Sequence, residues 1–257
     1  MTDLKKSIVN SLDGRDVNLF PHLPYLLQDL WEIGASPPHF IQLIRKNRLE
    51  SKINRALDLG CGKGAVAVQL AKVFGWQIYG IDAMPAFIED SKQWSKKYST
   101  EVLCTFEVGD IREQIQNRRD YDLVLLGSIG PVLGSIKETL VALKPCLKQT
   151  GYVLLDDGYL KGKNSKSPHD YPTREKVFQQ IRESGFHILD ELIYSREFMI
   201  ESNQKIFAAI QNRAMELAEK YPEKKRLFEA YVRLQEEENE TLENEIVCVT
   251  WLLQNSV

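Results

Sequence analysis

A glycine-rich turn is the most distinctive chemical feature of the sequence. It reads Leu57-Asp58-Leu59-Gly60-Cys61-Gly62-Lys63-Gly64 and stands between an apolar strand pattern and a helical pattern. Glycine has no Cβ atom, so a ligand can approach the backbone there, and the start of the next helix offers unpaired N–H groups. A tight turn with nothing bound is the simpler alternative, but three alternating glycines exceed what such a turn needs. The pattern predicts a ligand platform.

Two kinds of ligand fit the glycine spacing. Gly60-x-Gly62-x-x-Ala65 satisfies the loose dinucleotide pattern, and Asp82 follows about 20 residues on, where it could hold a ribose. Asp58, however, stands two residues before the first glycine, where its carboxylate would repel a pyrophosphate and suit a ligand that carries an ammonium group. The glycines alone do not decide between a dinucleotide and a ligand that carries an ammonium group, but Asp58 favours the ligand with the ammonium group.

The same turn matches a known first motif, acidic-apolar-Gly-x-Gly-x-Gly, over Asp58 to Gly64. Four further segments match in the expected order: Gly80-Ile81-Asp82, Val108-Gly109-Asp110-Ile111, Leu126 to Pro131, and Leu143-Lys144-Pro145 followed by Gly151 to Leu154. In these segments the chain resembles the class I S-adenosylmethionine (SAM)-dependent methyltransferase family. The resemblance covers about residues 50–195 and, more weakly, the last strand.

The resemblance implies SAM as cofactor, a molecule with an ammonium, a carboxylate and a sulfonium but no pyrophosphate. It implies that Asp82 accepts hydrogen bonds from the ribose hydroxyls, that Ala83 and Met84 lie beside the adenine, and that Asp110 and the Ile111 backbone bind its edge. The full implied cofactor set is Asp58, Gly60, Cys61, Gly62, Gly64, Asp82, Ala83, Met84, Asp110, Ile111 and Gly127.

Methyl transfer from a sulfonium is an in-line displacement, so the protein mainly aligns the nucleophile and excludes water. If the acceptor is an amine or a hydroxyl, a side chain must take its proton. The candidates for this role are His22, Asp157, Tyr159, His169 and Tyr171. Asp157 and Tyr159 follow the fifth strand, at the sheet edge where open α/β folds bind ligands, and are the preferred substrate contacts.

Composition narrows the function classes. The chain has 257 residues, with 33 Lys and Arg against 36 Asp and Glu, so it lacks the broad basic surface that nucleic acids require. The four cysteines lie far apart with no CxxC pair, which predicts neither a disulfide framework nor a metal site. The polar start and the lack of a long apolar run predict a cytoplasmic protein that does not span a membrane.

Short apolar strands alternate with helical segments from Arg55 onward, which predicts a parallel sheet covered on both faces. The alternation predicts a doubly wound α/β fold, and the resemblance implies that it is Rossmann-like, with seven mostly parallel strands and an antiparallel last strand next to the fifth. The predicted divisions are an N-terminal helical cap (1–50), a SAM-binding core (51–195), a helical insertion (196–243) and the last strand of the core (244–257).

Together these patterns predict a SAM-dependent methyltransferase that acts on a small molecule. The alternatives are an NAD(P)-linked Rossmann oxidoreductase and a non-catalytic SAM-binding module. The polar segment 161–170 is expected to be a mobile loop near the acceptor. The helical insertion is expected to serve as a lid over the active site, as a homodimer surface or as a plain cap, with the lid and the dimer surface favoured equally.

Overall fold

A computed structural model describes residues 2–162 and 171–256. Its sheet has seven strands in the order β3-β2-β1-β4-β5-β7-β6. The strands are β1 (Arg55–Leu59), β2 (Gln77–Asp82), β3 (Cys104–Val108), β4 (Tyr121–Gly127), β5 (Leu147–Leu160), β6 (Phe186–Ile193) and β7 (Ile246–Asn255). The first five strands pair in parallel, and β7 runs antiparallel to β6. The predicted fold class is therefore confirmed.

Helices connect these strands. The α-helices are α1 (Thr2–Ser11), α2 (Leu23–Leu26), α3 (Pro37–Lys46), α4 (Ala65–Phe74), α5 (Pro85–Lys97), α6 (Ile111–Gln114), α7 (Ile136–Leu143), α8 (Arg174–Glu183), α9 (Arg196–Lys220) and α10 (Lys225–Asn244). Short 3-10 turns lie at Val17–His22, Ile115–Asn117, Lys144–Cys146 and Pro222–Lys224.

The chain forms two compact units. One comprises residues 1–31, 159–173 and 194–247, and the other comprises residues 32–158, 174–193 and 248–257. The first unit is helical, and α9 contacts both α2 and α10 within it. The second unit contains most of the sheet. The division predicted from sequence into four segments stays a prediction.

The sheet forms where apolar runs allow burial on both faces. In β4 every residue from Tyr121 to Leu126 is buried, as expected for a central parallel strand. The strand order reverses between β1 and β4. In open α/β sheets this reversal leaves a crevice at the carboxyl ends of the two strands. The glycine turn follows β1 and therefore lies at this crevice.

The N-terminal region differs from its predicted secondary structure. The spacing of apolar residues from Leu23 to Gly34 predicts one long helix, but α2 ends at Leu26 and turns follow. Leu27 and Leu30 are buried all the same, because a turn-rich segment can cover a core as well as a helix does. The structure also has α1, with Val9 fully buried, which the polar start of the sequence did not predict.

Most of the predicted mobile loop lies outside the described residues. Lys163, Lys166 and His169 fall in that undescribed stretch, and Lys161 and Tyr171 lie at its borders.

Candidate active site

The glycine turn after β1 is held in a conformation that only glycine adopts easily. Gly60, Gly62 and Gly64 have φ values of 71°, 53° and 74°, in the left-handed region where a Cβ atom is strained. The backbone N–H groups of Gly60 and Cys61 both donate to the Ile81 carbonyl, at 2.8 and 3.0 Å. The end of β2 therefore fixes the turn.

Space beside the turn differs from one glycine to the next. A Cβ atom at Gly60 would lie 2.5 Å from Cγ2 of Ile129, which follows β4, whereas a Cβ at Gly62 would meet no atom of the described residues within 4 Å. The backbone at Gly62 thus borders open space that a ligand can fill. A side chain at Gly60 would collide with the β4 end of the crevice.

Asp58 on β1 has a buried carboxyl group, and one of its two oxygens is available to accept a hydrogen bond. Its side chain is 3% exposed, and Oδ2 accepts no hydrogen bond from any described residue. Burial, followed by the charge of Asp82, raises the pKa of Asp58 to about 7, although a hydrogen bond from the Ala67 backbone opposes this rise. A buried polar atom without a partner is costly. The position therefore suits a donor that arrives with a ligand.

Asp82 ends β2 and faces the same turn. Its Oδ2 accepts from the Gly62 N–H at 2.9 Å, and its Oδ1 accepts from the Met84 N–H at 2.8 Å. Burial raises the pKa of Asp82 to about 6. Each carboxylate oxygen can accept a further hydrogen bond, so Asp82 can take two hydroxyls while its orientation stays fixed. Met84 is buried and is the N-cap of α5, and Ala83 is half-buried beside it.

Asp110 and Ile111 follow β3. Ile111 is buried, and Asp110 caps α6 by accepting from the Arg112 backbone N–H at 3.0 Å. The Arg112 guanidinium also pairs with this carboxylate, Nη2 lying 2.7 Å from Oδ2, and holds the pKa of Asp110 below its usual range. The sequence analysis missed Arg112, although its spacing of two residues from Asp110 was the available signal.

Gly127 ends β4 at the other side of the crevice. A Cβ atom there would lie 2.7 Å from the Cβ of Ala35, so glycine is needed for the close approach of the segment before α3. Cys61 is buried within the turn, and burial raises the pKa of its thiol well above the usual range. A raised pKa disfavours the reactive thiolate at neutral pH.

The two preferred acceptor contacts fall in different units. Asp157 is partly exposed at the carboxyl end of the sheet, and its carboxylate accepts from the Gly158 N–H at 2.7 Å. Burial and the charge of Asp156 raise the pKa of Asp157 to about 6. Tyr159 is buried and belongs to the helical unit.

Two other candidates are engaged in the helical unit. His22 packs edge-on against Phe228 at 5.0 Å between ring centroids, and its Nε2 lies 3.3 Å from Lys224 Nζ. Burial and that lysine lower the pKa of His22. The Tyr171 hydroxyl lies 3.5 Å from Glu238 Oε1. His169 lies outside the described residues.

Sequence reasoning missed a polar network that joins the residue after β4 to side chains on β5 and β7. The Ser128 hydroxyl donates to Asp156 Oδ2 at 2.7 Å, and the Thr250 hydroxyl donates to Asp156 Oδ1 at 3.0 Å. Ser128 also has a φ of 55°, unusual for a residue other than glycine. The paired aspartates after an apolar strand were the available signal, but Thr250 lies too far along the chain for a sequence pattern to find it.

The family model of the methyltransferase domain matches residues 50–238. The chain belongs to this family. Its resemblance to class I SAM-dependent methyltransferases is thereby confirmed, and the match covers the glycine turn and the strands on both sides of it. The comparisons favour neither the oxidoreductase nor the non-catalytic alternative.

Curated relatives match only part of the chain. An uncharacterized protein of Methanocaldococcus jannaschii is 27% identical over 151 residues, which are 57% of this chain and 64% of that protein. A probable cobalt-precorrin-6B C(15)-methyltransferase of Methanothermobacter thermautotrophicus is 29% identical over 133 residues, or 52% of this chain and 62% of that protein. The chain thus spans less than two thirds of the length of these relatives.

Solved structures share the fold more completely. A SAM-dependent methyltransferase of Geobacter sulfurreducens, solved in complex with S-adenosylhomocysteine, superposes with a TM-score of 0.75 at 16% identity, over 90% of this chain and 96% of that one. A similar enzyme of Thiobacillus denitrificans, in the same kind of complex, gives a TM-score of 0.72 at 15% identity. At these identities the likeness shows the fold alone.

The described residues contain neither a membrane-spanning helix nor a metal-binding cluster. No helix in residues 2–162 and 171–256 is long and apolar enough to span a membrane. In the same residues no group of three or more His, Cys, Asp or Glu side chains is placed to hold a metal ion.

Proposed function

We propose that the chain is a SAM-dependent methyltransferase that acts on a small-molecule acceptor. The observation that carries this proposal is the buried Oδ2 of Asp58, which accepts no hydrogen bond from a described residue and lies on the strand that leads into the glycine turn. An ammonium group satisfies this oxygen, whereas a pyrophosphate would place negative charge against it. The open space at Gly62 is where the rest of the ligand approaches the backbone.

The other residues of the crevice then take defined roles. Asp82 holds the ribose hydroxyls, and its bonds to the Gly62 and Met84 N–H groups fix its orientation beforehand. Met84 and Ile111 offer apolar surface to the adenine. SAM, when bound, supplies an electrophilic methyl group whose transfer leaves a neutral thioether. The chain itself aligns the acceptor and keeps water out.

Asp157 is the proposed proton acceptor for an amine or hydroxyl substrate. With a pKa of about 6 it is mostly ionised at neutral pH and still basic enough to take a proton, which is the range that general bases use. Asp157 and Tyr159 lie within β5, which runs to Leu160, and not after the strand as the sequence predicts. Asp157 nevertheless follows Asp156, which pairs with Gly127 at the end of β4, and this end of the sheet is where open α/β folds bind ligands. Tyr159 stays a proposed substrate contact.

Other assignments rest on general features. A net charge of −3 supports a small-molecule acceptor over nucleic acid, and we extend the proposal to a cytoplasmic location. The acidic pair α9 and α10 is proposed as a lid or as a homodimer surface. Light scattering of the purified protein measures its molar mass and so shows directly whether it forms a dimer.

A ligand panel tests the function. Isothermal titration calorimetry and thermal shift are run with SAM, S-adenosylhomocysteine, 5′-methylthioadenosine, NAD and NADP, because a ligand of the native state raises its stability. We expect S-adenosylhomocysteine to bind much more tightly than 5′-methylthioadenosine, which lacks the ammonium group. Binding of NAD or NADP without binding of S-adenosylhomocysteine would overturn the proposal in favour of an oxidoreductase.

A further inference from the structure

The carboxylate of Asp110 is fully engaged by a single neighbour. Oδ1 accepts from the backbone N–H and from Nε of Arg112, each at 3.0 Å. Oδ2 accepts from Nε at 3.0 Å and from Nη2 at 2.7 Å. An ionised carboxylate has about four lone-pair directions for hydrogen bonds. Arg112 therefore occupies the positions that a ligand's hydrogen-bond donor would need.

Asp110 lies at the same sheet edge as Asp82. Val108, the last residue of β3, pairs in register with Asp82 on β2, and the Gly109 N–H donates to the Asp82 carbonyl at 2.9 Å. If Asp82 holds the ribose of a nucleoside, the base is within reach of the neighbouring end of β3. Asp110 is the acidic residue that this base meets there.

We propose that Arg112 is a latch that sets base specificity at this end of the site, an inference that rests on the proposed function. The exocyclic amino group of adenine binds Asp110 by displacing part of the Arg112 fork. The side chain of Arg112 is 34% exposed, so it can turn into solvent, while its backbone N–H still holds Asp110 in place. Only a base with a hydrogen-bond donor at this position replaces what the carboxylate loses.

This competition has a measurable consequence. An adenine ligand must break part of the Arg112–Asp110 ion pair, and this weakens its binding. Removing the guanidinium should therefore strengthen the binding of an adenine ligand. A partly exposed ion pair of this kind is worth no more than about fivefold in an equilibrium constant. A ligand with a keto group at the same ring position has no donor for Asp110, so it gains nothing when the fork is removed.

The experiment compares two ligands across four proteins. Isothermal titration calorimetry at pH 7.5 measures S-adenosylhomocysteine and S-inosylhomocysteine against the wild type, Arg112→Ala, Arg112→Lys and Arg174→Ala. Lysine keeps the positive charge but cannot form the bidentate fork. Arg174 pairs with Glu191 at 3.0 Å on the far part of the sheet, so its variant controls for the loss of one positive charge and one ion pair.

We expect Arg112→Ala to bind S-adenosylhomocysteine up to about fivefold more tightly, with Arg112→Lys gaining less and Arg174→Ala unchanged. The affinity for S-inosylhomocysteine should stay the same in all four. An equal gain for both ligands would show an effect of charge alone and overturn the latch, as would unchanged or weaker binding of S-adenosylhomocysteine to both Arg112 variants.

Failure of the latch and failure of the proposed function give different results. If the wild type binds neither homocysteine ligand, the proposed function falls and the latch falls with it. If the wild type binds S-adenosylhomocysteine but the Arg112 variants match it, only the latch is overturned. Thermal melts of all four proteins establish that each variant is folded before its affinity is interpreted.

Discussion

Replacing Asp58 with asparagine is expected to strengthen the fold and weaken the site at the same time. In the folded chain the pKa of Asp58 lies near 7, against an ordinary value of 3.8. A carboxyl group with a raised pKa favours the folded state below its ordinary pKa, and this contribution is lost as the pH rises through 7. Above pH 7 the ionised group therefore works against folding.

The size of the effect follows from the same values. A gap between 3.8 and about 7 corresponds to about 4 kcal/mol as an upper limit for the loss of stability between pH 4 and pH 8. Asparagine does not titrate, so Asp58→Asn should unfold at a higher temperature than the wild type at pH 8. Only near or below pH 3.8, where the carboxyl group is largely neutral in both the folded and the unfolded chain, should the two differ little, and the gap should already be growing at pH 5.

Ligand binding should show the opposite preference. An ammonium group binds the ionised carboxylate, so the affinity of the wild type for S-adenosylhomocysteine should rise between pH 6 and pH 8. Each binding event below pH 7 should release a fraction of a proton from Asp58. In Asp58→Asn the affinity should be weaker by about 1.5–3 kcal/mol, the usual value for a hydrogen bond to a charged group, and the pH dependence near 7 should vanish.

Calorimetry in two buffers with different ionisation enthalpies measures this proton release, and thermal melts of the apoprotein measure stability. Asp190→Asn is the matched control, because it removes a carboxylate that pairs with Lys46 at 2.9 Å and leaves Asp58 intact. The reasoning is refuted if the wild-type affinity is flat from pH 5.5 to pH 8, or if Asp58→Asn binds S-adenosylhomocysteine as tightly as the wild type.

Three further predictions concern the turn and the core. Asp82→Ala should weaken SAM binding by about 1.5–3 kcal/mol, and calorimetry that shows unchanged affinity would contradict the ribose assignment. Gly60→Ala should abolish cofactor binding because its Cβ would lie 2.5 Å from Ile129. Gly75→Ala is the control, because Gly75 has a φ of 75° but open space around it. This variant should carry the same kind of backbone strain and still bind the cofactor normally in the same titration. Trp251 is fully buried on β7, so Trp251→Ala should lower the free energy of unfolding by about 3–5 kcal/mol in denaturant melts.

The local sequence correctly predicts the glycine turn and the start of α3. Ser36 followed by Pro37 predicts the start of α3, and the structure begins this helix at Pro37 with Ser36 as the N-cap. The glycine spacing likewise predicts a turn between β1 and α4, because left-handed backbone and missing Cβ atoms leave a direct mark on residue type. Features that depend on neighbours in sequence are the ones that sequence reasoning recovers.

Long-range partners escape such reasoning. The network that joins Ser128, Asp156 and Thr250 depends on β4 and β7 lying on either side of β5. No pattern in the sequence sets the distance between side chains that are about 100 residues apart. Apolar spacing was equally ambiguous before α3, because Leu27 and Leu30 are buried without belonging to a helix. The spacing of apolar residues predicts which side chains are buried. It predicts a helix or a strand only when the periodic segment is long.

The electrostatics of Asp58 and Asp82, the two acidic residues of the crevice, are coupled. Asp58 and Asp82 are raised in pKa mainly by burial, and the charge of Asp82 adds to the rise at Asp58. Asp82 is held by two backbone N–H groups, whereas Oδ2 of Asp58 accepts from no donor in the described part of the chain. A ligand with positive charge at Asp58 and hydroxyls at Asp82 relieves both costs together. Where both carboxyl groups are ionised, a diphosphate at the same turn would add further negative charge beside them, so we expect the turn to disfavour dinucleotides by charge although its glycines would admit their shape.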